Sequence, residues 1–414
     1  MKKVSLLVIF ISLFGCKSTY TSGNGITSEN KIKEDVVFLA DDKLEGRQTG
    51  SEGAKKAAKY IINRFEKMGL TPKGTDGFYQ SFTFKPKAHP HAKVTYTETS
   101  SETTTTGFNI LAYVDNKAEN TIIIGAHYDH LGFGGGGSLY RGDQKLVHNG
   151  ADDNASGVAI LLNLADKLSK KNTNNNYLFM AFSGEEIGLL GSNYFVKNST
   201  IDLDKVNYMI NMDMVGRLKE NKSLAVYGTG TAAIWSKTIN SLNTDFKLIE
   251  KESGVGPSDH TSFYLSDIPV LHFFTGQHAD YHRPSDDSNL LNYDGMNKIS
   301  EYVFSIISDL DSNEKLVFKK TKNETQKGRK FKVTLGVVPD YLFDGKGMRI
   351  DGVTDDKPAA NAGIKKGDVV IKMGDIKVDG MMDYVKALGK FEKGAKTKVI
   401  VLRDGKEVEV DVTF

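Results

Sequence analysis

Cysteine is almost absent from this chain, with Cys16 alone among 414 residues. No intrachain disulfide can form, and no cysteine cluster can bind zinc. Tryptophan is equally scarce, and the single Trp235 reads as core, not as a platform for substrate. Neither sign of charge dominates: 54 Lys and Arg face 52 Asp and Glu, for a formal net charge of +2. A nucleic-acid partner normally shows as a clustered basic face, and none stands out here. The one long apolar run lies in the first residues, and there is no internal repeat. With 39% hydrophobic residues, the remainder reads as a soluble globular protein of more than one domain.

The start itself reads MKK, then VSLLVIFISLF, then Gly15 and Cys16. A basic start, a short apolar stretch and a small residue before a cut point describe a secretory signal. The stretch is too short to span a bilayer as a stable helix. Leu13-Phe14-Gly15-Cys16 resembles a bacterial lipobox. That resemblance implies a signal peptide over 1–16, lipidation of Cys16, and anchoring to a bacterial cell membrane at its periplasmic face or on the cell surface. The serine- and threonine-rich residues 17–28 read as a flexible tether.

Beyond the tether, strands and helices alternate. Residues 51–69 set Ala57, Ala58, Ile61, Ile62 and Phe65 on one helical stripe and stop at Gly69, after a loop at 44–50. Residues 78–114 alternate polar and apolar and predict outer antiparallel strands. The apolar runs TIIIGA, NYLFMAFSG and VNYMINM predict buried strands. Helical stripes follow GADDNAS and the Glu185–Glu186 pair, and further helices are expected over 230–242 and 296–310. The pattern predicts an α/β fold, a three-layer α/β/α domain at 29–312 on a mostly parallel mixed sheet. Residues 313–330 are charged and read as a linker, and 331–414 change to short strands and glycine turns.

The chemistry sits in five motifs: GAHYDH (125–130), GADDNASG (150–157), FSGEEIGLLGS (182–192), NMDMVG (211–216) and YHRPSDD (281–287). Strand ends in an open α/β sheet gather catalytic groups at one rim. His127 and His282 offer neutral nitrogen, and Asp153, Glu186 and Asp213 offer oxygen, a set suited to zinc. Five ligands exceed one tetrahedral ion and suit two, if one carboxylate bridges. Glu185 then stands beside the metal-bound water as a general base. Adjacent glutamates at a strand end point to opposite sides, which would divide the two roles. Asp152 reads as a hydrogen-bonding residue of its turn. Ser258, Asp259 and His260 cannot face one another as a triad and are expected in a loop near the cleft. His148, His272 and His278 read as structural or supporting residues. Gly134–Gly137 read as a mobile loop at the cleft edge and not as a phosphate cradle, because no P-loop lysine follows.

In this order, the motifs make residues 34–310 resemble the two-zinc aminopeptidases of the metallopeptidase family that also contains glutamate carboxypeptidases and glutaminyl cyclases. The resemblance implies two zinc ions (Zn2+) per chain, with His127 and Asp213 on different ions, joined by Glu186 and His282 and bridged by Asp153. It selects Asp153 over Asp152 and implies a cis Asp153–Asn154 peptide. It makes Asp129 the residue that orients His127, and Tyr281 a stabiliser of the oxyanion. Residues 331–414 resemble a PDZ domain through PAANAGIKKGDVVIKMGDIKV and the RDGKE hairpin. There, Leu335, Gly336 and Val337 would hold the carboxylate of a C-terminal peptide. The expected function is removal of N-terminal residues from peptides. The alternatives are a single-zinc glutaminyl cyclase and an inactive PDZ-type binding protein.

Overall fold

The computed structural model describes residues 28–86, 95–98, 100–135, 137–171, 173–321, 332–340, 343, 345–353 and 356–414. The expected signal segment with Cys16, most of the tether and linker residues 322–330 lie outside them.

The first unit runs α1 (Ser28–Leu39), α2 (Glu52–Lys67), β1 (Thr71–Pro72), β2 (Tyr79–Lys85), β3 (Thr95–Tyr96), β4 (Thr105–Val114), β5 (Asn120–His127) and α3 (Gly157–Leu168). It continues with β6 (Asn175–Phe182), α4 (Leu190–Lys197), β7 (Val206–Met212), β8 (Ser223–Tyr227), α5 (Trp235–Leu242), β9 (Lys247–Lys251), α6 (His260–Tyr264), β10 (Val270–Phe274) and α7 (Tyr293–Asp309). Ten strands form one sheet in the order β3-β2-β4-β6-β5-β7-β10-β8-β9, with β1 pairing β4. The centre, β6-β5-β7-β10, is parallel. The flanks join it antiparallel, β4 on β6 and β8 on β10.

Burial explains the sequence of the central strands. Every residue of β6 and β7 is buried, so both faces are covered and the strands read as continuous apolar runs. One face packs Ile32, Phe65, Leu161, Trp235 and Ile299 from α1, α2, α3, α5 and α7. The other packs Phe195 of α4 and Phe263 of α6. Register brings the strand ends together. His127 pairs with Phe182 of β6, and Gly125 pairs with Asn211 of β7.

The local signals act as expected in α2, where the Ser51 side chain accepts from Ala54 N–H and Gly69 ends the helix at φ +75°. Residues 44–50 form the expected loop, entered from a short 3-10 turn at Asp42 and kinked by left-handed Glu45, Gly46 and Arg47. The helix expected over 230–242 begins only at Trp235. Thr231 holds the preceding turn, its Oγ1 donating to Gly228 O and accepting from the indole Nε1 of Trp235. The first part of the expected linker is bound to this unit. Leu316 N–H donates to Asn207 Oδ1 (2.8 Å), Lys319 N–H to Thr231 O (2.8 Å), and Thr321 Oγ1 to the Tyr264 hydroxyl (3.0 Å).

The second unit comprises β11 (Val337–Pro339), β12 (Met348–Val353), α8 (Pro358–Asn361), β13 (Val369–Met373), β14 (Ile376–Lys377), α9 (Met381–Leu388), β15 (Lys396–Arg403) and β16 (Lys406–Thr413). Its antiparallel sheet, ordered β11-β12-β13-β15-β16, covers a core of Leu335, Ile350, Val370, Val399 and Val401. Asp404 and Gly405 both take positive φ, which suits the tight hairpin between β15 and β16. Arg403 at its base holds Asp368 through two charge-assisted bonds of 2.8 and 2.7 Å.

Candidate metal centre

Three parallel strand ends and two loops converge on one cleft, lined by Asp153, Glu185, Glu186, Asp213 and His282. His127 is the last residue of β5, and Asp213 follows β7 with its N–H on Phe273 O (3.2 Å). Asp153 comes from the turn that opens α3, and the Asp153–Asn154 peptide is cis. The Asn154 side chain ties this turn to the Asp213 loop. Its Nδ2 donates to Met212 O (2.9 Å), and its Oδ1 accepts from Met214 N–H (3.2 Å).

Asp153 stands between two histidines. His127 Nε2 lies 3.3 Å from Asp153 Oδ1 and 3.3 Å from Asp213 Oδ1. His282 Nε2 lies 3.2 Å from Asp153 Oδ2 and 3.2 Å from Glu186 Oε2. The His282 Nδ1 faces Gly137 O at 2.9 Å, which leaves Nε2 directed into the cleft. All five expected ligands therefore meet, although His127 and His282 lie in distant parts of the sequence. His127 Nε2 is buried without a hydrogen-bond partner among the described residues. Such an orphan nitrogen aimed at two carboxylates fits a cation between them.

Glu185 and Glu186 diverge, but from a turn beyond the strand and not from the strand end itself. Strand β6 ends at Phe182, and Gly184 at φ +78° swings the chain before the pair. Glu186 then reaches the His282 side, while the Glu185 carboxyl stays in the cleft. Asp129 contacts His127 chiefly through its backbone: Nδ1 lies 3.1 Å from Asp129 O and 3.8 Å from Oδ1. The Asp129 carboxylate accepts from Thr49 Oγ1 (2.8 Å) and from Glu185 N–H (3.3 Å), so one residue links His127 to the Glu185 turn. Tyr281 stacks on the His282 ring at 3.8 Å.

The electrostatics follow from packing acids around imidazoles. Burial alone would lower His282, but Glu186 and Asp153 outweigh it and push the ring up to about 11. His127 is likewise raised, by Asp213 and Glu185 against burial. Burial would raise Asp153, yet the two imidazoles hold it well below the ordinary carboxylate range. Glu186 is held down to about 2 by His282 and His130, against burial and Asp153. Glu185 moves the other way. Burial first, then the charges of Asp213, Glu186 and Asp259, raise it well above the usual value, against the pull of His127.

Other residues fall into place around this centre. Asp152 joins its turn to Gly216 N–H (2.6 Å) and lies 3.1 Å from His278 Nε2. Ser258, Asp259 and His260 are fully buried; the first two form the turn that follows the cleft residue Pro257, and His260 begins α6. Burial and neighbouring carboxylates push Asp259 up to about 7. His260 stacks on His272 at 4.3 Å, and His148 meets Ser138 Oγ at 2.7 Å. Trp235 is core.

His130 escaped notice in the sequence, although it closes the GAHYDH motif. Its Nδ1 lies 2.7 Å from Glu186 Oε1, and with Asp153 and Glu186 it makes a second cluster of metal-type atoms beside His127, Asp153 and Asp213. A second histidine three residues after His127 was the available signal.

Residues 109–307 match the model of peptidase family M28, and residues 328–414 that of the PDZ domain. A probable leucine aminopeptidase of Trichophyton verrucosum is 31% identical over 257 residues, covering 59% of this chain and 60% of that protein. The chain thus spans less than two thirds of that relative. Among solved structures, the zinc aminopeptidase BSAP of Bacillus subtilis aligns with TM-score 0.52 and 16% identity, covering 71% of this chain and 99% of that one. The glutaminyl cyclase of Porphyromonas gingivalis aligns with TM-score 0.53 and 18% identity, covering 69% and 99%. These two likenesses establish the fold alone, because both enzymes share it.

Proposed function

Because the chain carries a peptidase family M28 domain followed by a C-terminal PDZ domain, we propose that it is a zinc-dependent aminopeptidase. One observation carries the reading: the two oxygens of Asp153 face two different histidines, at 3.3 and 3.2 Å, with Asp213 and Glu186 on the outer sides. In this reading Asp153 bridges, His127 and Asp213 serve one ion, and Glu186 and His282 serve the other, reversing the pairing of His127 and Asp213 expected from the sequence. His130 holds Glu186 from behind. A mixed nitrogen and oxygen set of this kind accepts zinc, and also cobalt or manganese.

Held by these residues, two divalent ions would supply an acidified water and polarisation of the scissile carbonyl. Glu185 would accept a proton from the attacking water and deliver it to the leaving amine. Tyr281 donates its hydroxyl to the oxyanion. Asp129 fixes His127 and the Glu185 turn together. Met214, Tyr227, Phe274 and Tyr281 supply an apolar wall to the cleft, which suits an apolar N-terminal residue.

The unit limits adopted are 29–312 for the peptidase domain, 313–330 between the units, and 331–414 for the PDZ domain. Gly336, at φ +77° ahead of β11, supports capture of a C-terminal carboxylate by Leu335, Gly336 and Val337, with the peptide added as a strand. The lipobox-like start supports export and membrane attachment through Cys16.

The reading is tested with aminoacyl anilides on purified protein. Leucine and other apolar anilides are cleaved, the chelated protein is inactive, and added zinc restores it. Cleavage that survives exhaustive chelation would refute it, and cyclisation of N-terminal glutamine without anilide cleavage would favour the cyclase.

A second expectation follows from protonation. The carboxylates and burial around the centre favour protons on His282, His127 and Glu185, and ligation needs neutral imidazoles. Zinc added in weak buffer at neutral pH therefore releases protons, and affinity falls as pH falls. Calorimetry in buffers of different ionisation enthalpy reads the proton count; a count of zero would contradict the assignment.

A further inference from the structure

Arg47 is fully buried, with no carboxylate within ion-pair distance among the described residues. Its guanidinium spends four N–H groups on backbone carbonyls instead. Nε donates to Tyr128 O (2.8 Å), Nη1 to Leu39 O and to Asn149 O (2.7 Å), and Nη2 to Gly150 O (3.0 Å). Three of those carbonyls flank metal-type side chains, since Tyr128 follows His127 and Asn149 and Gly150 lead into the Asp153 turn.

Asp286 grips the same turn from its amide side. It is also fully buried, and its Oδ2 accepts from Asp152 N–H (2.9 Å) and Asp153 N–H (3.1 Å). Its backbone carbonyl accepts from Ala151 N–H (3.0 Å). Asp286 lies four residues after His282, so a single residue couples the His282 loop to the Asp153 turn. Its other oxygen is 3.7 Å from Arg217 Nη2 and 3.9 Å from His278 Nε2.

A buried charge is costly unless it is bonded, and these two opposite charges do not pair with each other. Each is bonded to one side of the backbone of residues 149–153. We propose that Arg47 and Asp286 are positioning residues, a two-sided backbone clamp that sets Asp153 between His127 and His282 for the metal ions. The inference rests on the metal reading given above. Its chemistry is specific to each side. Only a planar fork with five donors reaches several carbonyls at once, and only an acceptor can hold two adjacent N–H groups. A lysine at position 47 keeps the charge but cannot span the carbonyls.

The test uses the full chain loaded with cobalt(II), whose affinity is read by chelator competition and whose geometry is read by visible absorption. R47K and D286A each weaken cobalt binding by about 10- to 100-fold, the range for outer partners of metal ligands, and each alters the absorption bands. Because both act through one turn, R47K/D286A loses less than the product of the single losses. A merely structural role would lower the melting temperature of the metal-free chain and leave affinity and spectrum as in the wild type; that result overturns the clamp. If either variant fails to fold, D286L, which keeps the bulk but offers no acceptor to the two N–H groups, must still show weaker binding and shifted bands. A wild-type chain that takes up no cobalt sinks the metal reading itself, whereas normal uptake by wild type and variants alike sinks only the clamp.

Discussion

Replacing Glu185 by glutamine lowers anilide turnover by at least about 10³-fold while the chain keeps its metal. Glutamine has the shape of glutamate but cannot accept the proton of the attacking water. The expectation of intact metal content follows from geometry: Glu185 is anchored by its N–H on Asp129 Oδ1, while Glu186 turns to His130 and His282. Burial and the charges of Asp213, Glu186 and Asp259 raise the Glu185 carboxyl, which is what a base needs if it is to hold a proton before handing it on. Elemental analysis beside single-turnover rates decides the matter. A fully metallated Glu185→Gln protein with near-normal turnover would show that another group is the base.

Replacing Asp153 by alanine has the second large effect. Its two oxygens face His127 and His282, so its loss strips both ion positions of a shared ligand and leaves two imidazoles in a nest of acids. Bound metal after gel filtration falls below one ion per chain, and turnover falls by more than the roughly 100-fold that loss of an outer partner costs. Retention of the full metal content would show that Asp153 is not the bridge, and that the triad of His130, Asp153 and Glu186 needs a different account.

The site was legible in the sequence to an unusual degree, for a local reason. His127, Glu185 and Asp213 each follow an apolar run long enough to be a buried strand, and parallel strands deliver their ends to one rim. The same logic placed α2, α3 and the β15–β16 hairpin, because Ser51, Gly69, Asp404 and Gly405 act through their own backbone. It failed where a contact from far along the chain decides. The helix start near 230 moved to Trp235 because Thr231 bonds Val270 O on β10. Ser258, Asp259 and His260 looked like an open loop, yet all three are fully buried where the chain enters α6.

The sequence by itself determined the order of elements, the residue types able to bind metal, and the change of fold class after residue 330. Those depend on periodicity, turn chemistry and ligand type, all written over a few consecutive residues. The tertiary structure alone decided that the oxygens of Asp153 divide between two histidines, that His130 stands behind Glu186, and that Arg47 and Asp286 hold one turn from opposite sides. These contacts join residues 26 to 134 positions apart, and only strand register and layer packing fix such distances.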